Sequence, residues 1–370
     1  MFSPRACPRL IVKVGSALLV DPDGTVRREW LTSLVADIAA RTKAGQEIAV
    51  VSSGAIALGA RRLKLPKGGR ASLEDAQAAA ATGQIALSQV WAELLGAEGL
   101  TAAQMLVTLD DLEDRRRYLN AAATLNRLLA LGVVPVINEN DSVATAEIRF
   151  GDNDRLAARV GQAAGAQGVI LLSDVDGLYD ANPTTNPDAT MIARVDRIDA
   201  RIEAMADGGS GSGMGSGGMV SKIAAARIAT AAGAHLAIVS GHVPHPLAAF
   251  ADSEHGTVFV AEKTAPARKA WLAGGLTAKD QIHIDAGAAR ALVGGKSLLA
   301  AGAIRVEGKF RRGDLVAICG PDGKPLARGL AEYDAADAAL ITGKRSDALA
   351  AILGYAPRTA MVHRNHMALL

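Results

Sequence analysis

Residues 118–141 read YLNAAATLNRLLALGVVPVINEND, and the order of patterns within them decides the fold. Residues 118–131 are rich in Ala and Leu at helical spacing, and Gly132 follows where a helix C-cap favours glycine. Residues 133–137, VVPVI, are a short Val- and Ile-rich run with the length of a buried strand. Asn138, Glu139, Asn140 and Asp141 then gather polar side chains at the end of that strand. The same succession recurs outward in both directions. Apolar runs stand at 10–14, 48–51, 105–109, 169–172 and 236–239. Helical stretches fall at 30–44 and 73–95, with Gly45 and Gly96 at cap positions. Strand–helix alternation predicts an α/β fold, a mostly parallel open sheet flanked by helices in an α/β/α sandwich. A closed barrel shares the pattern, and the open sheet is preferred.

The pattern changes after residue 262. Residues 263–280 read as a linker. Beyond it, 281–370 breaks into short strand-like pieces at 304–307, 315–319 and 326–331, separated by turns such as Pro321-Asp322-Gly323. Two domains are therefore expected, 1–262 and a small, mostly β unit at 281–370, which suits a chain of 370 residues.

Composition excludes several classes. Aromatics make up 3%, so the core is built from aliphatic side chains, and the formal net charge of +2 carries no strong nucleic-acid footprint. The segment 281–370 holds 12 Lys+Arg against 8 Asp+Glu, a mild excess of +4. Cys7 and Cys319 lie far apart without metal-ligand spacing, which fits free thiols in a reducing, cytoplasmic setting. No stretch reaches the ~18 apolar residues of a membrane span. The first residues superficially resemble a signal peptide, but Lys13 breaks the apolar run and a turn follows at Asp21-Pro22-Asp23-Gly24, so they read as the first strand.

Polar clusters close four of the runs: Lys13-Val14-Gly15-Ser16, Ser52-Ser53-Gly54-Ala55, Asn138–Asp141 and Ser173-Asp174. Ligands of open α/β sheets bind outside the carboxyl ends of strands, so these clusters converge on one rim. Lys13 sits inside an apolar strand, where it costs desolvation unless an anion meets it. A lysine snorkelling from a strand end is the plainer alternative, but Gly15 lets a phosphate approach the backbone. Residues 207–222, DGGSGSGMGSGGMVSK, place a glycine loop before Lys222, which opens the helix 222–232. A flexible linker has the same composition, yet glycines leading to a lysine at a helix N-terminus form a phosphate-binding arrangement. The dinucleotide-like spacing at Gly213, Gly215 and Gly218 lacks a preceding strand, and no Walker pattern is present.

Residues 133–155, VVPVINENDSVATAEIRFGDNDR, deliver Asn138, Asn140 and Asp141 from a strand, then Asp152, Asn153 and Asp154 before the helix 155–164. Helix capping accounts for one of these, not for all. Carboxylates suit an ammonium, and amides with a helix end suit a carboxylate, so the set fits an amino acid. Transfer of a phosphoryl group to a carboxylate brings anions together. Unit charges at 4 Å repel by ~4 kcal/mol at an effective dielectric of 20, so cations and backbone amides are required. A general base is not, because the carboxylate is already ionised, in keeping with the lack of His in these clusters.

The stretches IVKVGSALL, VVSSGAIALG, MLVTLDDLEDRRRYLNAAATL, VVPVINEND, FGDND, LLSDVDGLY and GSGGMVSK resemble the bacterial glutamate 5-kinases of the amino acid kinase superfamily, and the tail with GKSLLAAGAIRVEGKFRRGD and MVHRNHMALL resembles their C-terminal PUA domain. The resemblance covers almost the whole chain. It implies an amino acid kinase domain at 1–262 and a PUA domain at 281–370. It also implies ATP- and Mg²⁺-dependent conversion of L-glutamate to L-glutamyl 5-phosphate, the first step of proline synthesis, with inhibition by proline. By resemblance, Lys13 and Lys222 stabilise the transferring group and Asp154 orients them. Ser53, Gly54, Asn138, Asp141 and Asn153 take glutamate. Lys13, Gly15, Ser173, Asp174, Ser216, Gly217, Gly218, Met219 and Lys222 take ATP, with Mg²⁺ held mainly by phosphates and water. A homotetramer or homodimer is implied, as is domain-level RNA binding. Ser173 departs from the more usual Thr and keeps the hydroxyl. Sibling kinases of aspartate or N-acetylglutamate would share the lysines and glycine loop but lack the Asn138–Asp141 and Gly151–Asp154 pair with this tail. An RNA-binding protein would show a strong basic stripe with exposed aromatics.

Overall fold

A computed structural model describes residues 3–21, 24–143, 153–207, 218–262, 280–358 and 360–370. The chain divides into two compact units, one gathering Met1–Glu113 and Asn120–Glu262, the other Asp114–Leu119 and Lys263–Leu370.

The first unit is built on an open sheet of eight strands: β1 (Arg9–Val14), β2 (Glu47–Ser52), β3 (Ala102–Val107), β4 (Val134–Glu139), β5 (Gly168–Ser173), β6 (Arg194–Val195), β7 (His235–Ser240) and β8 (Thr257–Phe259). Their order is β3-β4-β2-β1-β5-β7-β8-β6. Every pairing is parallel except β7 with β8. From β1 the chain fills one side with β2, β3 and β4, then crosses to the other with β5. The reversal falls at β1, where such sheets open a crevice for ligands.

Helices cover both faces. They are α1 (Ser16–Leu19), α2 (Arg28–Lys43), α3 (Ala55–Leu63), α4 (Leu73–Ala97), α5 (Leu109–Glu113), α6 (Arg115–Ala130), α7 (Asn153–Ala164), α8 (Ala200–Asp207), α9 (Met219–Ala231) and α10 (Pro246–Ser253). Side chains alternate along a strand. Leu10, Val12 and Val14 therefore join Ile48, Val50, Val134 and Val136 in a core with Leu34 of α2, Leu58 of α3 and Trp91 of α4. Ile11, Ala49, Val51 and Leu171 face the other way, into a core with Leu125 of α6, Leu156 of α7 and Ala226 of α9. Among the described residues, no helix is long and apolar enough to cross a membrane.

Several boundaries differ from expectation, among them α7, which starts at Asn153 and not at Arg155; three others show their physical cause. The run at 105–109 is not all strand. β3 ends at Val107, and Thr108 begins a turn in which its amide donates to the Asp111 carboxylate at 2.8 Å while the Asp111 amide donates to the Thr108 hydroxyl at 3.1 Å. That reciprocal cap starts α5 at Leu109. Gly96 lies inside α4, and Gly99, with φ +76°, takes the left-handed position beyond its end. Lys222 does not open its helix: α9 begins at Met219 after Gly218. Met219 packs against the second core, which draws the first turn back toward the glycines.

The second unit carries a five-stranded sheet, order β10-β9-β11-β12-β13, with β9 (Asp280–Ile284), β10 (Ala303–Glu307), β11 (Leu315–Cys319), β12 (Pro325–Ala331) and β13 (Val362–Leu369). The three strand-like pieces read from the sequence are β10, β11 and β12. Its core of Ile282, Ile284, Val316 and Ile318 also takes residues from short helices α11 (Ala286–Val293), α12 (Ala335–Ile341) and α13 (Leu349–Leu353). The expected linker lies, apart from Asp280, outside the described residues.

Candidate active site

The four polar clusters stand at the ends of β1, β2, β4 and β5, which are neighbours in the order β4-β2-β1-β5. All run parallel, so their carboxyl ends share one rim.

Alternation then sorts the side chains between the two faces. Lys13 points the same way as Ile11, toward the layer of α7 and α9. There Asp154, in the first turn of α7, and Lys222, in the first turn of α9, meet it. Lys13 Nζ lies 2.7 Å from Asp154 Oδ1, and Lys222 Nζ lies 3.0 Å from Asp154 Oδ2. All three are buried, with Lys13 8% exposed, Lys222 4% and Asp154 1%. Burial alone would push the Asp154 carboxyl up. The two ammonium groups and their hydrogen bonds outweigh it and hold its pKa below the ordinary carboxylate value. The three groups together carry one net positive charge. Such a set, buried at a sheet rim, calls for an anion. Gly15 sits beside it, and a Cβ there would stand 3.8 Å from Lys13 Nζ.

Ser52 and Asn138 alternate to the opposite face, toward α4. Trp91 Nε1 donates to Ser52 Oγ at 2.9 Å. Asn138 Nδ2 donates to Gln84 Oε1 at 2.8 Å, and Asn138 Oδ1 accepts from Asn153 Nδ2 at 3.2 Å and from the Glu139 amide at 2.9 Å. Asn153 Nδ2 also donates to Ser53 Oγ at 2.8 Å. A chain of neutral groups thus runs from Gln84 through Asn138 and Asn153 to Ser53.

This chain borders a cavity of about 850 Å³ lined by Ser53, Gly54, Asn138, Asp141, Asn153 and Arg70, among others. Gly54, at φ +101°, turns the chain from β2 into α3. The first bond of α3 runs from the Leu58 amide to the Gly54 carbonyl at 3.1 Å, so the amides of Ala55, Ile56 and Ala57 precede it, and these residues line the same cavity. They offer donors to a carboxylate. Asn153 Oδ1 is buried with no hydrogen-bond partner among the described residues. Asp141 is buried too, and burial pushes its carboxyl up to about 6, against a smaller opposing pull from Arg70. Two acceptors beside a helix N-terminus can take an ammonium and a carboxylate together.

At the other end of the rim, Ser173 is buried and donates its hydroxyl to Asp174 Oδ1 at 3.0 Å. Gly218 caps α9 without a side-chain bond and Met219 follows it. Ser216 and Gly217, with Gly151 and Asp152, lie outside the described residues.

The model of the amino acid kinase family matches residues 8–240, and that of the PUA domain matches 280–353. A glutamate 5-kinase of Sphingopyxis alaskensis is 74% identical over the full length of both chains. The chain belongs to the glutamate 5-kinases of the amino acid kinase family. Within that family, the glutamate 5-kinase of Zymomonas mobilis is 64% identical over all of this chain and 93% of its own. A carbamate kinase from Giardia lamblia, solved with AMP-PNP, shares the fold of the kinase unit at a TM-score of 0.50 and 13% identity, over 70% of this chain and 100% of that one.

In this family member, three neighbours of the site escaped the sequence reading: Gln84, Trp91 and Arg70. Gln84 was findable. It shares a stripe with Ala80, Leu87 and Trp91 at spacings of three and four, so it is a polar residue on the buried face of α4. Arg70 gives no such signal, because it lies in a turn.

Proposed function

We propose that the chain transfers the γ-phosphoryl group of ATP to the side-chain carboxylate of L-glutamate, giving L-glutamyl 5-phosphate, the first step of proline synthesis. The observation that carries this is Asp154 bridging Lys13 and Lys222 next to the cavity bordered by Asn138, Asp141 and Asn153. The strand order supports a division of labour. Glutamate lies over β4 and β2, with its ammonium toward Asp141 and Asn153 and with Ser53 and Gly54 at its side. The transferring group lies over β1. The nucleotide lies over β5, toward Ser173, Asp174 and the start of α9 at Gly218 and Met219, with Ser216 and Gly217 carried over from the resemblance as further nucleotide residues. Adjacent strands are ~4.8 Å apart, so β4 and β5 stand ~14 Å apart, room for an in-line transfer between them.

In the reaction, a γ-carboxylate oxygen of glutamate forms a bond to the γ-phosphorus. The bond from that phosphorus to the bridging oxygen breaks, and its electron pair leaves with ADP. No proton moves, since the attacking carboxylate is ionised. Lys13 and Lys222 meet the equatorial oxygens of the transferring group, and Asp154 fixes both ammonium groups in place. Mg²⁺ supplies neutralisation of the β- and γ-phosphate charge. Both Asp154 oxygens face lysines, so Mg²⁺ would be carried mainly on the phosphates and water.

Proline shares the ammonium and α-carboxylate of glutamate, which supports its acting as a feedback inhibitor at the Asp141 end of the cavity. Ile85, 70% exposed, and the exposed Leu106 of edge strand β3 support association into a homodimer or homotetramer. We further assign 1–262 to the kinase domain, 263–279 to a linker and 280–370 to the PUA domain, one residue earlier than the expected 281 because Asp280 already pairs in β9, with an accessory RNA-binding role for the last and a cytoplasmic location for the whole. Incubation with ATP, Mg²⁺, glutamate and hydroxylamine is expected to yield γ-glutamyl hydroxamate. A product formed only with aspartate would overturn the proposal.

A further inference from the structure

Glutamate carries two carboxylates and one ammonium. The assignments above place the γ-carboxylate at the lysines and the ammonium at Asp141. The α-carboxylate shares a carbon with that ammonium, so whatever binds it must lie beside Asp141. The amides at the start of α3 are neutral donors. A full positive charge on the same wall would set the specificity for an α-amino acid over a simple amine.

Three cations line the cavity: Arg61, Lys64 and Arg70. Arg61 lays its stem against Gly24, where a Cβ would stand 2.6 Å from Arg61 Cγ. Lys64 caps α3 in the left-handed conformation at φ +54°. Arg70 is the one whose charge acts on Asp141. Among the described residues no carboxylate pairs with it. Its position is set by what flanks it. Lys67, Gly68 and Gly69 have φ of +50°, +62° and +75°. Gly69 is pressed onto the α3–α4 pair so closely that a Cβ would stand 2.9 Å from Ala60 Cβ and 3.1 Å from Ala79 Cβ. On the other side, Ser72 caps α4 by accepting the Asp75 amide at 3.1 Å. A pinned glycine and a capped helix thus hold a turn with Arg70 between them, its amide bonded to the Lys67 carbonyl at 3.3 Å.

We infer that Arg70 is the residue that recognises the α-carboxylate of the bound amino acid, its guanidinium fork closing the cavity wall that Asp141 and the start of α3 leave open. The inference rests on the proposed function. A planar guanidinium meets a carboxylate through two parallel bonds, a geometry a lysine cannot copy. It also partly offsets Asp141, so that the bound ammonium and α-carboxylate see an opposite charge each.

The test is steady-state kinetics of the full chain with Arg70→Met and Arg70→Lys. Arg70→Met is expected to raise the KM for glutamate about 10- to 100-fold, with kcat within threefold and the KM for ATP unchanged. Arg70→Lys recovers part of the loss. Inhibition by 4-aminobutyrate, which keeps the amine and the reacting carboxylate but lacks the α-carboxylate, is expected to be no weaker in Arg70→Met than in the unmodified chain. A glutamate KM within twofold of the parent, or an equal loss for both compounds, overturns the role of Arg70. An unmodified chain that forms no glutamyl phosphate overturns the proposed function instead.

Discussion

The rim of the sheet carries two unlike halves. Under α7 and α9, three charged groups are buried in ion pairs, Lys13 and Lys222 on the two oxygens of Asp154. Under α4, the chain from Gln84 through Asn138 and Asn153 to Ser53 is entirely neutral. Burying ions costs several kcal/mol each even after relaxation, whereas a paired amide costs little. On the proposed function, the buried ion pairs thus stand where charge moves during the reaction, while the Gln84–Ser53 chain beside the substrate cavity is held by neutral groups. Where the task is to hold a substrate in register, the molecule uses amides whose bonds fix one another. The first half should govern kcat and the second KM.

The sharpest way to break this contrast is to disarm the charged half. Lys222→Ala is expected to lower kcat by about 10²–10³-fold with a smaller change in either KM if Lys222 acts as proposed, because phosphoryl charge is greatest in the transition state. Asp154→Asn keeps the shape but leaves two buried ammonium groups facing an uncharged amide. It should lower kcat at least as far, and lower the melting temperature as well. Single-turnover rates with saturating ATP and glutamate measure the first effect, and calorimetry the second. An unchanged kcat in Lys222→Ala would take the triad out of the reaction.

The neutral half should fail differently. Asn138→Ala removes the link between Gln84 and Asn153 and takes the Asn138 donor from the buried Gln84 Oε1, at a cost of about 1–3 kcal/mol. Asn153 keeps its bond to Ser53 but loses one of the bonds that orient it. The expected result is a KM for glutamate raised roughly tenfold with kcat nearly intact. A fall in kcat with unchanged KM would show that the amides, too, act on the transferring group.

The two halves were also unequally legible. Lys13 stood out because a lysine in an apolar strand violates local pattern, and Asn138, Asp141, Asn153 and Asp154 because their density exceeds what capping needs. The sheet could be read from its Val- and Ile-rich runs, and its direction from the polar tips. Which face each tip serves follows from strand parity alone: Ile11 and Lys13 on one side, Val136 and Asn138 on the other. The pairing of Lys13 and Lys222 with Asp154 came from the family resemblance and not from the residues themselves, since it joins residues far apart in sequence through the packing of α7 on α9. Nor did the start of α9, because helix onset there depends on burial of Met219 rather than on a capping residue. Arg70 was invisible for a related reason. A basic residue in a Gly-rich turn has no local signature, and only the close contact of Gly69 with Ala60 and Ala79 sets where its backbone stands.

Asp141 belongs to neither half by chemistry, and it yields the smallest expected effect. It is charged like the triad, but no ion pair holds its carboxyl down among the described residues, and burial pushes its pKa up to about 6 against a smaller pull from Arg70. An ammonium binds the ionised form only. The KM for glutamate should therefore be flat above pH 7 and rise as pH falls through 6, approaching a tenfold rise per pH unit below it. The sign for stability is the reverse of that for binding. A carboxyl whose pKa is raised on folding costs stability once pH exceeds the unfolded value, and the full cost is present above the folded one. Asp141→Asn should consequently melt at a higher temperature than the parent at pH 7, and its KM, raised throughout, should lose the inflection near 6. If Asp141→Asn leaves both the KM for glutamate and its pH profile as in the parent, Asp141 does not meet the ammonium, and the neutral amides bind the substrate without it.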